Sequence, residues 1–167
     1  MELLEDAFGR LRGVVRSVLD DADQRMLTYR PDRKANTIAW LIWHLTRVQD
    51  GHIAELRGKE PLWITDGWAD RFDLPFDRHA SGFGQSAEDV AAVRVEADLL
   101  AQYYEDVHAQ TIDYLHGLSD EDFAAVVDTS WNPPVTLATR LVSIVSDDLQ
   151  HAGQAAYVRG MVKRAAL

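Results

Sequence analysis

Apolar residues recur every three or four positions from the start of the chain, at Leu3, Leu4, Phe8, Leu11, Val14, Val15, Val18 and Leu19. That period gathers them on one face of a helix and predicts a first helix over 2–22. Beyond the turn Tyr29-Arg30-Pro31-Asp32 the pattern resumes with Ile38, Leu41, Ile42, Leu45, Val48 and Ile53. Asn36 or Thr37 can cap this second helix, and Gly58 after Arg57 supplies its stop. Over 58–86 the period fails, and Pro61, Gly67, Pro75, Gly82 and Gly84 are interspersed with Trp63, Trp68, Phe72, Phe76 and Phe83. So long a connection is functional or disordered, and its aromatic content predicts an ordered loop packed over the helices.

Ser86 with Asp89 forms a capping-box pattern that opens a third helix, running to His116 before Gly117. Its seam comprises Val90, Val93, Ala97, Leu100, Tyr104, Val107, Ile112 and Leu115. A short helical turn is expected at 119–123, and AVVDTSWNPPV reads as briefly extended until Pro133 and Pro134 interrupt it. The last helix starts near Thr136 and runs through Leu137, Leu141, Ile144, Val145, Leu149 and Ala152 to Val158, with Gly160 near its end. There is no internal repeat. One all-α domain over 1–167, four long helices with one elaborate loop, uses the whole chain.

Composition narrows the function. Seventeen basic against 27 acidic residues give a net charge of −10, a field that repels nucleic acid, and no Lys/Arg cluster offsets it. No apolar run approaches the roughly 20 residues of a membrane span. The opening MELLEDAFGR lacks the order of a signal peptide, so a cytoplasmic location is expected. With no Cys, disulfides, thiolate metal sites and a protein-borne thiol nucleophile are all excluded, and any sulfur chemistry needs a thiol from outside.

The candidate chemistry lies in two helices. Asp147 and His151, four apart, share a helical face in SDDLQHAGQAAYVRG, and His44 sits in the apolar run NTIAWLIWHLTRVQDGHI. Together they make a three-ligand set with an open coordination position, the arrangement of a reactive metal. Taken alone, His44 reads as a core histidine satisfied by one hydrogen bond, and Asp147 with His151 as an ordinary hydrogen-bonded pair. Asp148 stands three residues from His151, so spacing does not choose between the two carboxylates. Imidazole and oxygen donors suit Zn²⁺, Ni²⁺, Fe²⁺ or Mn²⁺.

These two segments resemble the DinB/YfiT-like metalloenzyme superfamily, most closely its actinobacterial branch of uncharacterised domains, over nearly the full chain. The resemblance implies a four-helix bundle in up-down-down-up order whose long crossover between helices two and three is the aromatic loop 58–86. It implies one ligand on helix two and two, four apart, on helix four. His44 and His151 match directly. Asp147 departs from the common His-x-x-x-His form and is similar to the Glu-x-x-x-His form of the mycothiol-dependent maleylpyruvate isomerase branch. The resemblance further implies a divalent ion, zinc or nickel, and a transfer or isomerisation assisted by a thiol such as mycothiol or bacillithiol.

Other residues are candidates for the pocket. Trp40, Trp43, Trp63 and Trp68 can wall it, and His52, two turns after His44, can reach its mouth. Arg47 and Arg140 have the donor geometry to bind a carboxylate substrate or the thiol cofactor, and Gln154 or Tyr157 to orient a ligand His. His79, His108 and His116 read as surface or loop residues. Gly153, Ala155 and Ala156 permit close approach of a neighbouring helix or a second subunit, and a homodimer is expected. Three functions fit: a thiol-dependent transferase or isomerase acting on a small electrophile, a hydrolase with Asp148 as base, and a non-catalytic metal or small-molecule binder.

Overall fold

The segment IAWLIWHLT is apolar on every side, so a helix built from it must be enclosed on every side. The computed structural model, which describes residues 2–165, shows this. Helix α1 (Glu2–Leu19) is followed by the short α2 (Gln24–Leu27), and α3 (Ile38–Arg57) is the enclosed helix. The crossover carries α4 (Leu62–Thr65) and α5 (Trp68–Phe72), so the expected loop contains two short helices. Then come α6 (Ala87–Ala92), α7 (Ala97–His116), a 3₁₀ turn at Asp122–Ala124, strands β1 (Val126–Asp128) and β2 (Val135–Thr136), and α8 (Leu137–Arg164).

Helices α1 and α3 each pack against both α7 and α8. Paired side chains fix the directions. Glu5 meets His116 while Arg16 meets Glu105, so α1 and α7 are antiparallel. Asp50 meets Tyr103 while Arg57 meets Asp113, so α3 and α7 are parallel. His44 meets His151, and Glu55 and Leu56 share a small cavity with Arg140, so α3 and α8 are antiparallel. Among the described residues no helix is long and apolar enough to cross a membrane.

The boundary signals act as expected. The Thr37 hydroxyl accepts from Trp40 N, Gly58 ends α3 in the left-handed region, and Ser86 and Asp89 form a reciprocal capping box. Helix α1 ends at Leu19, three residues short of its predicted end, and two further boundaries differ. The third helix is broken at 93–96, because Val93 and Val95 are both buried while Arg94 is exposed. Alternation of period two requires extended backbone, and Gln24 Nε2 donates to the freed Val95 carbonyl at 2.8 Å. The last helix passes Val158 and Gly160 and ends at Arg164, with Val162 buried in its final turn.

One buried carboxylate fastens the crossover to the bundle. Asp50, fully enclosed on α3, accepts from Leu62 N (2.9 Å), Trp63 N (2.8 Å) and the Tyr103 hydroxyl (2.8 Å), with Arg47 at 3.9 Å. Burial raises its pKa above the ordinary carboxylate value, against the pull of those donors. Two of the bonds satisfy amides at the start of α4, where Pro61 supplies no side-chain cap. Asp50→Ala should leave those donors unpaired and lower stability by roughly 3 kcal/mol in urea unfolding. A change below about 0.5 kcal/mol would mean that the loop is held by other contacts.

Candidate metal centre

The antiparallel packing of α3 on α8 brings His44, Asp147 and His151 together, each offering a ligand atom within 4.8 Å of the others. The imidazole centroids of His44 and His151 lie 4.9 Å apart, and His151 Nε2 is 3.6 Å from Asp147 Oδ1. The second carboxylate is elsewhere. Asp148 is fully buried in the core, within electrostatic reach of Tyr104, and neither of its oxygens has a hydrogen-bond partner. Burial, with Asp147 beside it, pushes its pKa well above the carboxylate range. Of the two carboxylates that spacing left open, it is Asp147 that lies beside the two imidazoles.

Both rings are turned by their outer nitrogens. His44 Nδ1 lies 2.6 Å from the Ser81 carbonyl oxygen. A carbonyl only accepts, so Nδ1 carries the proton and Nε2 keeps its lone pair. His151 Nδ1 lies 3.3 Å from Gln154 Oε1, one turn along α8, which leaves its Nε2 to face Asp147 in the same way. Hydrogen bonds of this kind orient imidazole ligands in metal sites.

Chain packing makes the Ser81 contact possible. At Gly82 the backbone has φ +101°, and a Cβ there would stand 2.7 Å from His44 Nδ1, 3.0 Å from the Trp43 ring and 3.2 Å from the Trp40 ring. Only glycine lets the loop lie so close. Trp40 stacks on His44 with centroids 4.5 Å apart and meets His151 edge-on at 6.3 Å, while its Nε1 donates to Gln85 Oε1 at 2.7 Å. Loop residues on both sides of Gly82 therefore hold the His44 ring.

Charge follows from this enclosure. Burial lowers the pKa of His44, which keeps the ring neutral. The Asp147 carboxylate beside its ring raises that of His151, and His151 in turn lowers that of Asp147. Asp147 Oδ2 is buried without a hydrogen-bond partner, an acceptor that a cation would satisfy. Two Nε2 lone pairs, a carboxylate with an orphaned oxygen and no thiolate fit a borderline divalent ion. The His44 side is closed, at 6% exposure, whereas the Asp147 side chain is 37% exposed, so the set opens on the Asp147 flank.

The other candidates fall in different places. His52 is half-buried on that flank, within electrostatic reach of Asp147, its pKa lowered by burial and then by Arg140. Arg140 is tied to Asp128 at 2.7 Å. Arg47 is buried, with its guanidinium 4.8 Å from the Trp63 ring centroid and donors near the Ala80 and His79 carbonyls. Trp43 is core, packed between Trp63 and Phe76. Tyr157 points outward into solvent. His79 and His116 are exposed as expected, but His108 is buried and stacks on Tyr104, four residues before it on the inward face of α7. Sequence reasoning missed Ser81, Gly82 and Gln85; two glycines inside an aromatic loop were the available sign of close approach.

A centre of two imidazoles and one carboxylate between antiparallel helices of an α-helical bundle defines the class of protein. The chain belongs to the DinB superfamily, whose family model matches residues 7–155. It is similar to a solved structure, a conserved protein from Enterococcus faecalis, with 31% identity and a TM-score of 0.89 over 95% of this chain and 94% of that one. No curated protein is significantly similar to the chain.

Two measurements probe the site. Gly82→Ala should displace the loop from His44 and weaken zinc binding by about 10–100-fold while helical content is retained; unchanged affinity would show that the Ser81 contact is dispensable. Because Asp147 raises the pKa of His151 and burial lowers that of His44, acidification protonates His151 first. Calorimetry in buffers of different ionisation enthalpy should therefore find protons released on zinc binding near pH 6.5, and fewer as the pH is raised above the folded His151 pKa. No release near pH 6.5 would contradict the assignment.

Proposed function

We propose that this DinB-superfamily protein holds one divalent ion, zinc or nickel, on His44, Asp147 and His151 and uses an external thiol of the mycothiol or bacillithiol kind to transfer to, or isomerise, a small electrophile. The observation that supports this reading is the pair of imidazoles held at Nδ1 by Ser81 and Gln154, which leaves both Nε2 atoms free in one cluster with the orphaned Asp147 carboxylate. A bound divalent ion supplies Lewis acidity that brings a thiol toward its thiolate at neutral pH. The chain supplies position. Ser81 and Gln154 hold the rings against rotation, and Trp40 shields the His44 face from water. Reactants enter on the Asp147 flank, past His52 and the Arg140–Asp128 pair, and Arg140 is the cation there for an anionic thiol or a carboxylate-bearing electrophile.

The absence of Cys agrees with an external thiol, since no side chain of this protein can form a thiolate. A hydrolytic reading wants a base beside the open flank, and Asp148, the residue considered for it, is enclosed in the core. The test is thiol consumption by metal-loaded protein with mycothiol and a small aryl halide such as chlorodinitrobenzene. Metal-dependent conjugation is expected, falling to the uncatalysed rate in His151→Ala together with loss of bound metal. Equal turnover of electrophiles without any thiol would overturn the transferase reading, and full metal occupancy in His151→Ala would overturn the ligand set.

A further inference from the structure

A groove of about 600 Å³ between α1 and α8 carries charge of the opposite sign to the chain as a whole. Val14, Val18 and Ala156 form its apolar floor, and Arg10, Arg159 and Lys163 stand around it. Although the chain has 27 acidic residues, none of those among the described residues lines the groove. Its lining recurs at steps of three and four on each helix, so the groove runs lengthwise, over roughly 12 Å from Arg10 to Val18 at about 1.5 Å per residue. Glycine keeps it open. Gly13, in its wall, has nothing within 4 Å of where a Cβ would stand, so packing within the chain does not require glycine, which a helix interior disfavours.

The positive charge is gathered at one end. Arg159 donates to the Asp20 carbonyl, which fixes its guanidinium beside the groove, and its Nε is buried without a hydrogen-bond partner among the described residues. Lys163 follows one turn later. A Cβ on Gly160 would stand 3.1 Å from Arg164 Nη1, so the Arg164 guanidinium folds back over Gly160 toward the same end. At the other end Arg10 is already paired with Asp6 at 2.6 Å. His151 and Gly160 are about two and a half turns apart on α8, so the groove and the candidate metal centre lie on different sides of that helix. An apolar trough with cations converging at one end is complementary to an ion with an apolar tail and an anionic head, and its volume lies within the range usual for small-molecule sites.

We propose that this groove binds a small amphipathic carboxylate, its alkyl chain on the Val14, Val18 and Ala156 floor and its head held by Arg159, Lys163 and Arg164. Decanoate is the probe. Titrated as a monomer into the isotope-labelled protein with zinc present, it should saturate at one equivalent and shift the backbone amides of residues 10–18 and 156–164. Decyltrimethylammonium, with the same tail and the opposite charge, should bind at least about tenfold more weakly. Gly13→Leu puts a side chain into the groove where nothing opposes it, and should weaken decanoate binding about tenfold without lowering the urea midpoint. Lys163→Glu should weaken it by a similar factor through charge alone. Equal binding of the two probes, shifts centred on His44 and His151 instead, or wild-type affinity in either folded variant would overturn the proposal. So would the absence of shifts at millimolar decanoate, or binding to phosphatidylglycerol vesicles alone, which would make this face a membrane contact.

Discussion

The hydrogen bond from His44 Nδ1 to the Ser81 carbonyl is the contact on which the candidate centre depends. Without it the imidazole is a rotatable ring in an apolar helix, free to present either nitrogen. With it one tautomer is selected and Nε2 keeps the free lone pair. That bond requires the crossover to lie against α3 at van der Waals distance, which Gly82 permits and a side chain would forbid. It also requires the crossover to stay there. Asp50 provides that restraint from the far side of the loop, by engaging the first amides of α4, and Arg47 adds contacts to the carbonyls just before Ser81.

The arrangement shows how an apolar helix accommodates polar groups. Helix α3 carries Asp50, Gln49, Arg47 and His44 among its buried residues, each a liability in a core unless satisfied. Gln49 donates to Thr111, Asp50 receives three donors, Arg47 lies across Trp63, and His44 donates to Ser81. Apart from Tyr103 on α7, the hydrogen-bond partners of His44, Arg47 and Asp50 come from the crossover. The loop thus closes the bundle and is the second half of the site. On α8 Asp147 Oδ2 has no hydrogen-bond partner and belongs to the cluster with the two imidazoles, a demand that a cation would meet.

Much of this was legible in the chain because it rests on local rules. Thr37, Gly58 and the Ser86 and Asp89 pair marked helix ends through contacts within four residues, and the spacing of Asp147 and His151 placed them on one face. What was not legible rests on distant contacts. Ser81 lies 37 residues from His44, and nothing in either segment names the other. The choice between Asp147 and Asp148 depends on the rotation of α8 against α3, which a one-residue difference in sequence does not encode. The break at 93–96 was hidden because Val93 fits a helical seam as well as an extended segment, and only the burial of Val95 beside it decides. His108 was read as peripheral because a lone polar residue carries no sign of which side of α7 faces the core.

The most direct test of the centre is crystallographic. Anomalous diffraction at the zinc edge from zinc-soaked crystals should give one peak at about 2.0–2.2 Å from His44 Nε2, His151 Nε2 and an oxygen of Asp147, with His44 Nδ1 still on Ser81. An ion bound through Nδ1 of either histidine, or no ordered ion between α3 and α8 at saturating zinc, would contradict the account.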